Sequence, residues 1–194
     1  MVSTQHADKR KHILQVAFEE FGESGYRKTT IQTIADRVGL TPGNLYNYFK
    51  DKDDLFLSSL SGVWDEFGLA IERATDNQQI SWPRRARDLF AHAESLLRKS
   101  HSLLSGSFTS EHRRARMRLD LERASQRLLA FFDEGRQQGL GMLPQDNAQA
   151  LVTLRLLLGG ALWTLAVVEG QEALDTELAR LRTAFLRELD GVQP

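Results

Sequence analysis

Cysteine is absent from the 194-residue chain. That excludes structural disulfides, thiolate metal sites and a cysteine nucleophile, and it suits a reducing cytoplasm. The N-terminal stretch MVSTQHADKRKH has no apolar core, so it does not read as a signal peptide. The apolar run LLLGGALWTLAVV holds only thirteen residues between Arg155 and Glu169; a membrane span needs roughly twenty. An excess of basic charge is missing too. The formal net charge is -1, and residues 1–55 balance eight Lys/Arg against eight Asp/Glu. Enzymatic signatures are also lacking. His92, His101 and His112 stand nine and eleven residues apart, which is not a metal-ligand spacing. Gly139 and Gly141 have neither the preceding strand nor the third glycine of a dinucleotide loop. No nucleophile–base arrangement is legible, so the expectation is a non-enzyme with no cofactor and no metal.

What remains is a chain with 41% hydrophobic residues, enough for one good-sized core or two small ones. Its periodicity is helical throughout, with no convincing strand. A first helix is expected over about Ala7–Gly22, with Ile13, Leu14, Ala17, Phe18 and Phe21 on one face. Ile31, Ile34, Ala35 and Val38 mark a second, which Gly39 ends, because glycine adopts the left-handed conformation cheaply. Thr41 as N-cap and Pro42 at the first helical position restart the chain. The helix they open presents Asn44, Tyr46, Asn47 and Tyr48, and turns Leu45 and Phe49 inward. Helix, glycine-containing turn and helix is the layout of a helix-turn-helix, whose second helix reads the major groove. The pattern alone also joins ordinary core helices.

The wider run decides between these. ILQVAFEEFGESGYRKTTIQTIADRVGLTPGNLYNYFKDKDDLF, from Ile13 to Phe56, resembles the TetR family of transcriptional regulators nearly position by position. Ala17, Phe21, Gly25, Tyr26, Thr29, Thr30, Ile34, Ala35, Gly39, Gly43, Leu45, Tyr46, Tyr48, Phe49, Lys52 and Leu55 carry the match. FFDEGRQQGLG, Phe131 to Gly141, resembles that family's second domain. The resemblance implies an all-α chain: an N-terminal three-helix domain with the helix-turn-helix (1–55), joined by a long fourth helix to a helical effector-binding and dimerisation domain (56–194). It also implies that Thr30, Tyr46, Tyr48 and Lys52 bind phosphate. Asparagine pairs bidentately with adenine, so Asn44 and Asn47 are the expected base readers. Thr41, Pro42 and Gly43 at the helix start approach the duplex closely. Lys9, Arg10, Lys11, Arg27 and Lys28 join Lys52 as flanking cations, each also readable as plain surface charge.

Beyond this, the fourth helix is expected from Lys52 to about Ala74, with Asp51 as N-cap; TDNQQIS (75–81) reads as the linker. Ser81-Trp82-Pro83 opens the next helix and SGSFTS (105–110) is a break. A further helix carries Met117 to Phe132. Asp146 and Gln149 fit a capping box opening a helix over 148–168 that is apolar nearly all round. With a final helix over 174–189 it would form a four-helix interface across a two-fold axis, so a homodimer is expected. Two copies would read half-sites roughly 34–36 Å apart. Phe67, Phe90, Leu97, Phe108, Met117, Leu121 and Trp163 are candidate lining for a small-molecule effector, each equally a core position. HRRARMR (112–118) reads as a solvated helix face, with an anion site as the lesser alternative. The expected partners are double-stranded DNA, a second copy and an effector, with no membrane. A helical enzyme or carrier for an apolar molecule, and an effector-independent DNA-binding protein, are the competing readings.

Overall fold

A computed structural model describes residues 4–107, 110–139 and 143–190. These form eight helices, with no strand among the described residues: α1 (Thr4–Lys28), α2 (Ile31–Arg37), α3 (Pro42–Leu45), α4 (Lys52–Asp76), α5 (Trp82–Ser107), α6 (Glu111–Gln137), α7 (Asn147–Val167) and α8 (Gln171–Asp190). The all-α class expected from periodicity is what the chain adopts.

Two compact units divide the chain. The first comprises residues 1–63 and 100–116, so the start of α6 and the end of α5 belong with α1–α3. Its interior is built from Ile13, Ala17 and Phe21 of α1, Ile34 and Ala35 of α2, Leu45, Phe49, and Leu55 and Phe56 of α4. α1 runs six residues beyond Gly22, with a break at Gly25 (φ 75°, ψ 157°). Glycine tolerates that left-handed value without a Cβ penalty. Thr29, fully buried, donates its hydroxyl to Gly25 O (2.9 Å) and Glu20 O (3.2 Å), fixing the chain as it leaves α1.

The second unit comprises residues 64–99 and 117–194. Ala70 and Ile71 of α4, Ala86 and Leu89 of α5, Leu128 and Phe131 of α6, Ala150 and Leu154 of α7, and Leu189 of α8 share one core. Trp82 anchors it: its indole N–H donates to Phe131 O (2.9 Å) and its ring stacks on Phe131 (5.3 Å). A Cβ on Gly135 would lie 2.6 Å from that indole. The stretch 75–81, expected as a linker, forms the tight connection between α4 and α5 inside this unit. Buried Arg85 holds it, donating to Ala74 O (2.6 Å) and Ile80 O (2.9 Å). A polar composition marks a turn but not what the turn connects.

α5 extends through Ser107, so the break expected over 105–110 begins later than the composition suggests; residues 108–109 lie outside the described residues. α7 opens at the expected cap, where Asp146 accepts from Gln149 N (2.8 Å). The thirteen-residue apolar run is thus part of a 21-residue helix that is, by length and composition, long and apolar enough to cross a membrane. Its buried stripe (Ala150, Leu154, Leu162, Leu165 and Ala166) and an ion pair from Arg155 to Glu122 of α6 (2.7 Å) tie it into this unit. Its other side leaves Val152, Leu156, Leu157, Trp163 and Val167 exposed.

Candidate nucleic-acid interface

The helix-turn-helix is built by local chemistry. Thr30 caps α2, accepting from Thr33 N (3.0 Å). At the other end Gly39 takes φ 67°, with Leu40 N donating to Ala35 O (2.9 Å) and Gly39 N to Asp36 O (3.2 Å). These two bonds are the Schellman pattern that closes a helix on a left-handed glycine. Thr41 then caps α3, accepting from Asn44 N (3.2 Å), with Pro42 at the first helical position. Leu45 and Phe49 are buried and so hold the turn down.

α3 proper lasts only from Pro42 to Leu45. Residues 46–48 continue as a tighter turn, in which Asn47 N donates to Asn44 O (3.3 Å) and Tyr48 N to Leu45 O (3.0 Å). Asparagine and tyrosine are indifferent helix formers. Asp51 restarts the chain close behind, accepting from Asp54 N (2.8 Å). The tightened turn still leaves Asn44, Tyr46 and Asn47 exposed, with Asn47 one turn after Asn44. Pro42 and Tyr48 are half-buried; Thr30, Thr41 and Gly43 are exposed.

α1 clasps this element from behind. Lys9 Nζ donates to Val38 O (3.2 Å), at the C-cap of α2. Arg37 of α2 reaches Glu20 (2.8 Å) and Glu19 (3.2 Å) of α1. The Glu20 hydrogen bond raises the guanidinium's pKa further. The imidazole of His6 stacks on Tyr48 (4.5 Å, 21°). Of the expected flanking cations, Lys9 is therefore occupied by a carbonyl. Arg10 lies over Phe49 (5.0 Å). Lys11, Arg27 and Lys28 are exposed. Lys52 is half-buried with its ammonium over the Tyr26 ring (4.2 Å). Burial, and then the nearby Arg113, lower its pKa. Sequence reading missed His6, Lys9 as a clasp, and Arg113. Each acts across a long sequence separation that periodicity does not encode.

The expected effector-lining residues scatter. Met117 is buried, Leu97 and Leu121 half-buried. Phe67 packs against the second unit's core, and Phe90 stacks on Phe185 of α8 (4.4 Å). Trp163, 57% exposed, stands on the outer stripe of α7 rather than inside. Apolar identity alone did not separate an outward tryptophan from an inward one. Phe108 lies outside the described residues. A hollow of about 220 Å³ between α4 and α5 is lined by other residues, among them Ala70, Arg73, Leu89 and His92.

The model of bacterial regulatory proteins of the tetR family matches residues 13–58, the span that forms this headpiece. The chain is 25% identical to a TetR/AcrR-family transcriptional regulator from Thermobifida fusca, covering 96% of this chain and 100% of that one with a TM-score of 0.68. Residues 13–58 carry the headpiece of the TetR family. Among curated relatives, the transcriptional repressor KstR2 of Mycolicibacterium smegmatis is 31% identical over 116 residues, which is 59% of this chain and 49% of the relative. The curated relatives first in similarity are matched over half of their length or less. FadR of Bacillus subtilis, solved in complex with stearoyl-CoA, has the same fold, with a TM-score of 0.70 at 21% identity over 92% of this chain and 96% of that one.

Proposed function

We propose that this TetR-family chain is a homodimeric, DNA-binding transcriptional repressor that a small-molecule effector releases from a near-palindromic operator. The observation that carries the reading is the exposed Asn44–Asn47 pair on a turn fixed by two caps, a Schellman closure and the buried Leu45 and Phe49. Carboxamides held on a rigid prong suit adenine edges in the major groove, whereas a packing turn has no use for them exposed. Thr30, Tyr46 and Tyr48 flank them as neutral phosphate ligands, and Lys52 as a charged one.

A one-turn reading helix makes few base contacts, so two copies are needed. The outer stripe of α7, with Val152, Leu156 and Val167, supplies the second copy's contact, beside α8. Residues 1–55 read DNA in this scheme, and 56–194 bind the effector and dimerise. The effector lowers operator affinity by preferring a conformation in which the reading turns are misplaced. A long-chain acyl thioester is the first compound to try, because FadR holds stearoyl-CoA. The protein acts in the cytoplasm, where its operator lies, and carries out no catalysis.

Selection of duplexes from a random library, followed by anisotropy titration with and without stearoyl-CoA, tests the proposal. Enrichment of an inverted repeat, bound by two chains, is the expected result. Equal affinity for an isolated half-site, or no enrichment above random duplex, would reject it.

A further inference from the structure

HRRARMR reads from sequence as a solvated face, yet Arg113 is buried, while His112, Arg114 and Arg118 are exposed. Ser110, just before α6, orients it: the hydroxyl accepts from Arg113 N (3.2 Å) and from its Nε (3.1 Å). The guanidinium lies over the Tyr26 ring (3.8 Å) and near that of Phe56 (5.6 Å), with Nε 3.4 Å from Asp53 Oδ1. Tyr26 donates its hydroxyl to the same Asp53 oxygen. Lys52 lies over the same ring. Two cations, one ring and one carboxylate therefore meet where α1 ends and α4 begins. One of the cations is the expected phosphate ligand, and the other is carried by α6.

Lys52 and Asp53 are adjacent on a helix, so their side chains diverge. Lys52 is nonetheless only one aromatic ring away from a carboxylate already matched to Arg113. A planar guanidinium stacks and pairs at once, which an ammonium does not. While Arg113 is seated, Asp53 has a counterion and Lys52 has like charge beside it.

We propose that Arg113 is a positioning residue for DNA binding: seated on Tyr26 and Asp53, it keeps the Lys52 ammonium off that carboxylate and available to a backbone phosphate. When the start of α6 withdraws, Lys52 replaces Arg113 on Asp53, and each subunit loses one phosphate contact. This rests on the DNA-binding reading above and names a route by which movement of α6 lowers operator affinity.

The test uses full-length wild type, R113M, K52Q, D53N and the R113M/D53N double variant. Methionine keeps apolar volume on Tyr26; R113Q is the substitute if R113M does not fold. With a duplex selected by the wild type, R113M reduces the slope of log affinity against log salt by about 0.9 per subunit, as K52Q does. R113M in the D53N background reduces it no further. Without DNA, acetic anhydride labelling of Lys52, read by mass spectrometry, falls about threefold in R113M, the change given by a half-unit rise in ammonium pKa. It does not fall in R113M/D53N. An unchanged salt slope, or equal losses with and without Asp53, overturns the proposal. If the wild type selects no duplex, the DNA-binding reading fails while the labelling still decides the exchange at Asp53.

Discussion

If the proposed homodimer forms through the outer stripe of α7, truncating Leu156 to alanine should separate its subunits without disturbing either. Leu→Ala removes three carbons, worth about 2.4 kcal/mol when fully buried, at about 0.8 kcal/mol per carbon. Leu156 is 71% exposed in the single chain, and if a partner covers that exposed part, its share is about 1.7 kcal/mol per subunit. Two-fold symmetry counts the loss twice, giving about 3.4 kcal/mol and a dimer weakened roughly 250-fold. Sedimentation equilibrium measures the dissociation constant directly. Leu119 on α6, 51% exposed and off the α7 stripe, supplies the control: L119A should leave the constant unchanged. An L156A chain that associates like the wild type, or an L119A chain that falls apart equally, refutes the assignment of this face. Operator affinity should fall with dimerisation in L156A, while affinity for one half-site stays constant.

N47A should cost about 1–3 kcal/mol in operator affinity and relax preference at one base position, read by anisotropy across single-base variants; a uniform loss over all sequences would mean that Asn47 does not read bases. G135A places a Cβ 2.6 Å from the Trp82 indole, and because that ring is hydrogen-bonded and stacked it cannot yield, so the chain should lose about 1–3 kcal/mol and about 2–4 °C of Tm per kcal/mol. Hydrogen bonding from Arg182 of α8, followed by Arg98, holds the Glu94 carboxyl below its usual pKa against the opposing cost of burial. A depressed acid stabilises the fold above its unfolded value and loses that contribution as pH falls through the folded one, so thermal stability should drop through the acid range below about pH 4.5, and E94Q should flatten that drop. Tyr26, pushed up to about 12 by burial and then by its bond to Asp53, should ionise late in an ultraviolet titration and earlier in D53N; its contribution is present below about pH 10 and is lost as pH rises through the folded value.

Wherever the determinant was short-range, the sequence was enough. Gly39, Thr41-Pro42, Asp51 and Asp146 each impose a cap on the next turn of chain, and each cap formed where the residues required it. Leu45 and Phe49 went inward because their spacing leaves no other face apolar. The failures share a cause. Lys9 and Val38, His6 and Tyr48, and Arg113 and Asp53 meet only after tertiary folding, and a cation's letter is the same whether it faces a carbonyl, a carboxylate or water. The first helix, expected to end near Gly22, runs on to Lys28 across a break at Gly25, where the Thr29 hydroxyl bonds back to Gly25 and Glu20. Trp163 stands exposed on the outer stripe of α7, a placement sequence does not give, because an all-round apolar helix has no phase by which hydropathy could tell its inner face from its outer one.

These placements bear on how a headpiece with no net charge would hold DNA in the proposed reading. Lys9 is committed to a carbonyl and Arg10 to the face of Phe49. Of the expected set, Lys11, Arg27 and Lys28 are exposed, and Lys52, half-buried over the Tyr26 ring, is the phosphate ligand of the proposal above. Four contacts give a log–log salt slope of about -3.6 for one subunit, and twice that, about -7, for a symmetric dimer. On the proposed reading, a single headpiece with so few charges would bind random duplex weakly at physiological salt, so little protein would be lost to non-specific sites. The affinity that matters then comes from joining two base-reading turns, which ties operator recognition to the α7 stripe. Salt slopes measured on wild type and on L156A should differ about twofold. A dimer slope near that of one subunit would mean that the two headpieces do not engage the duplex together.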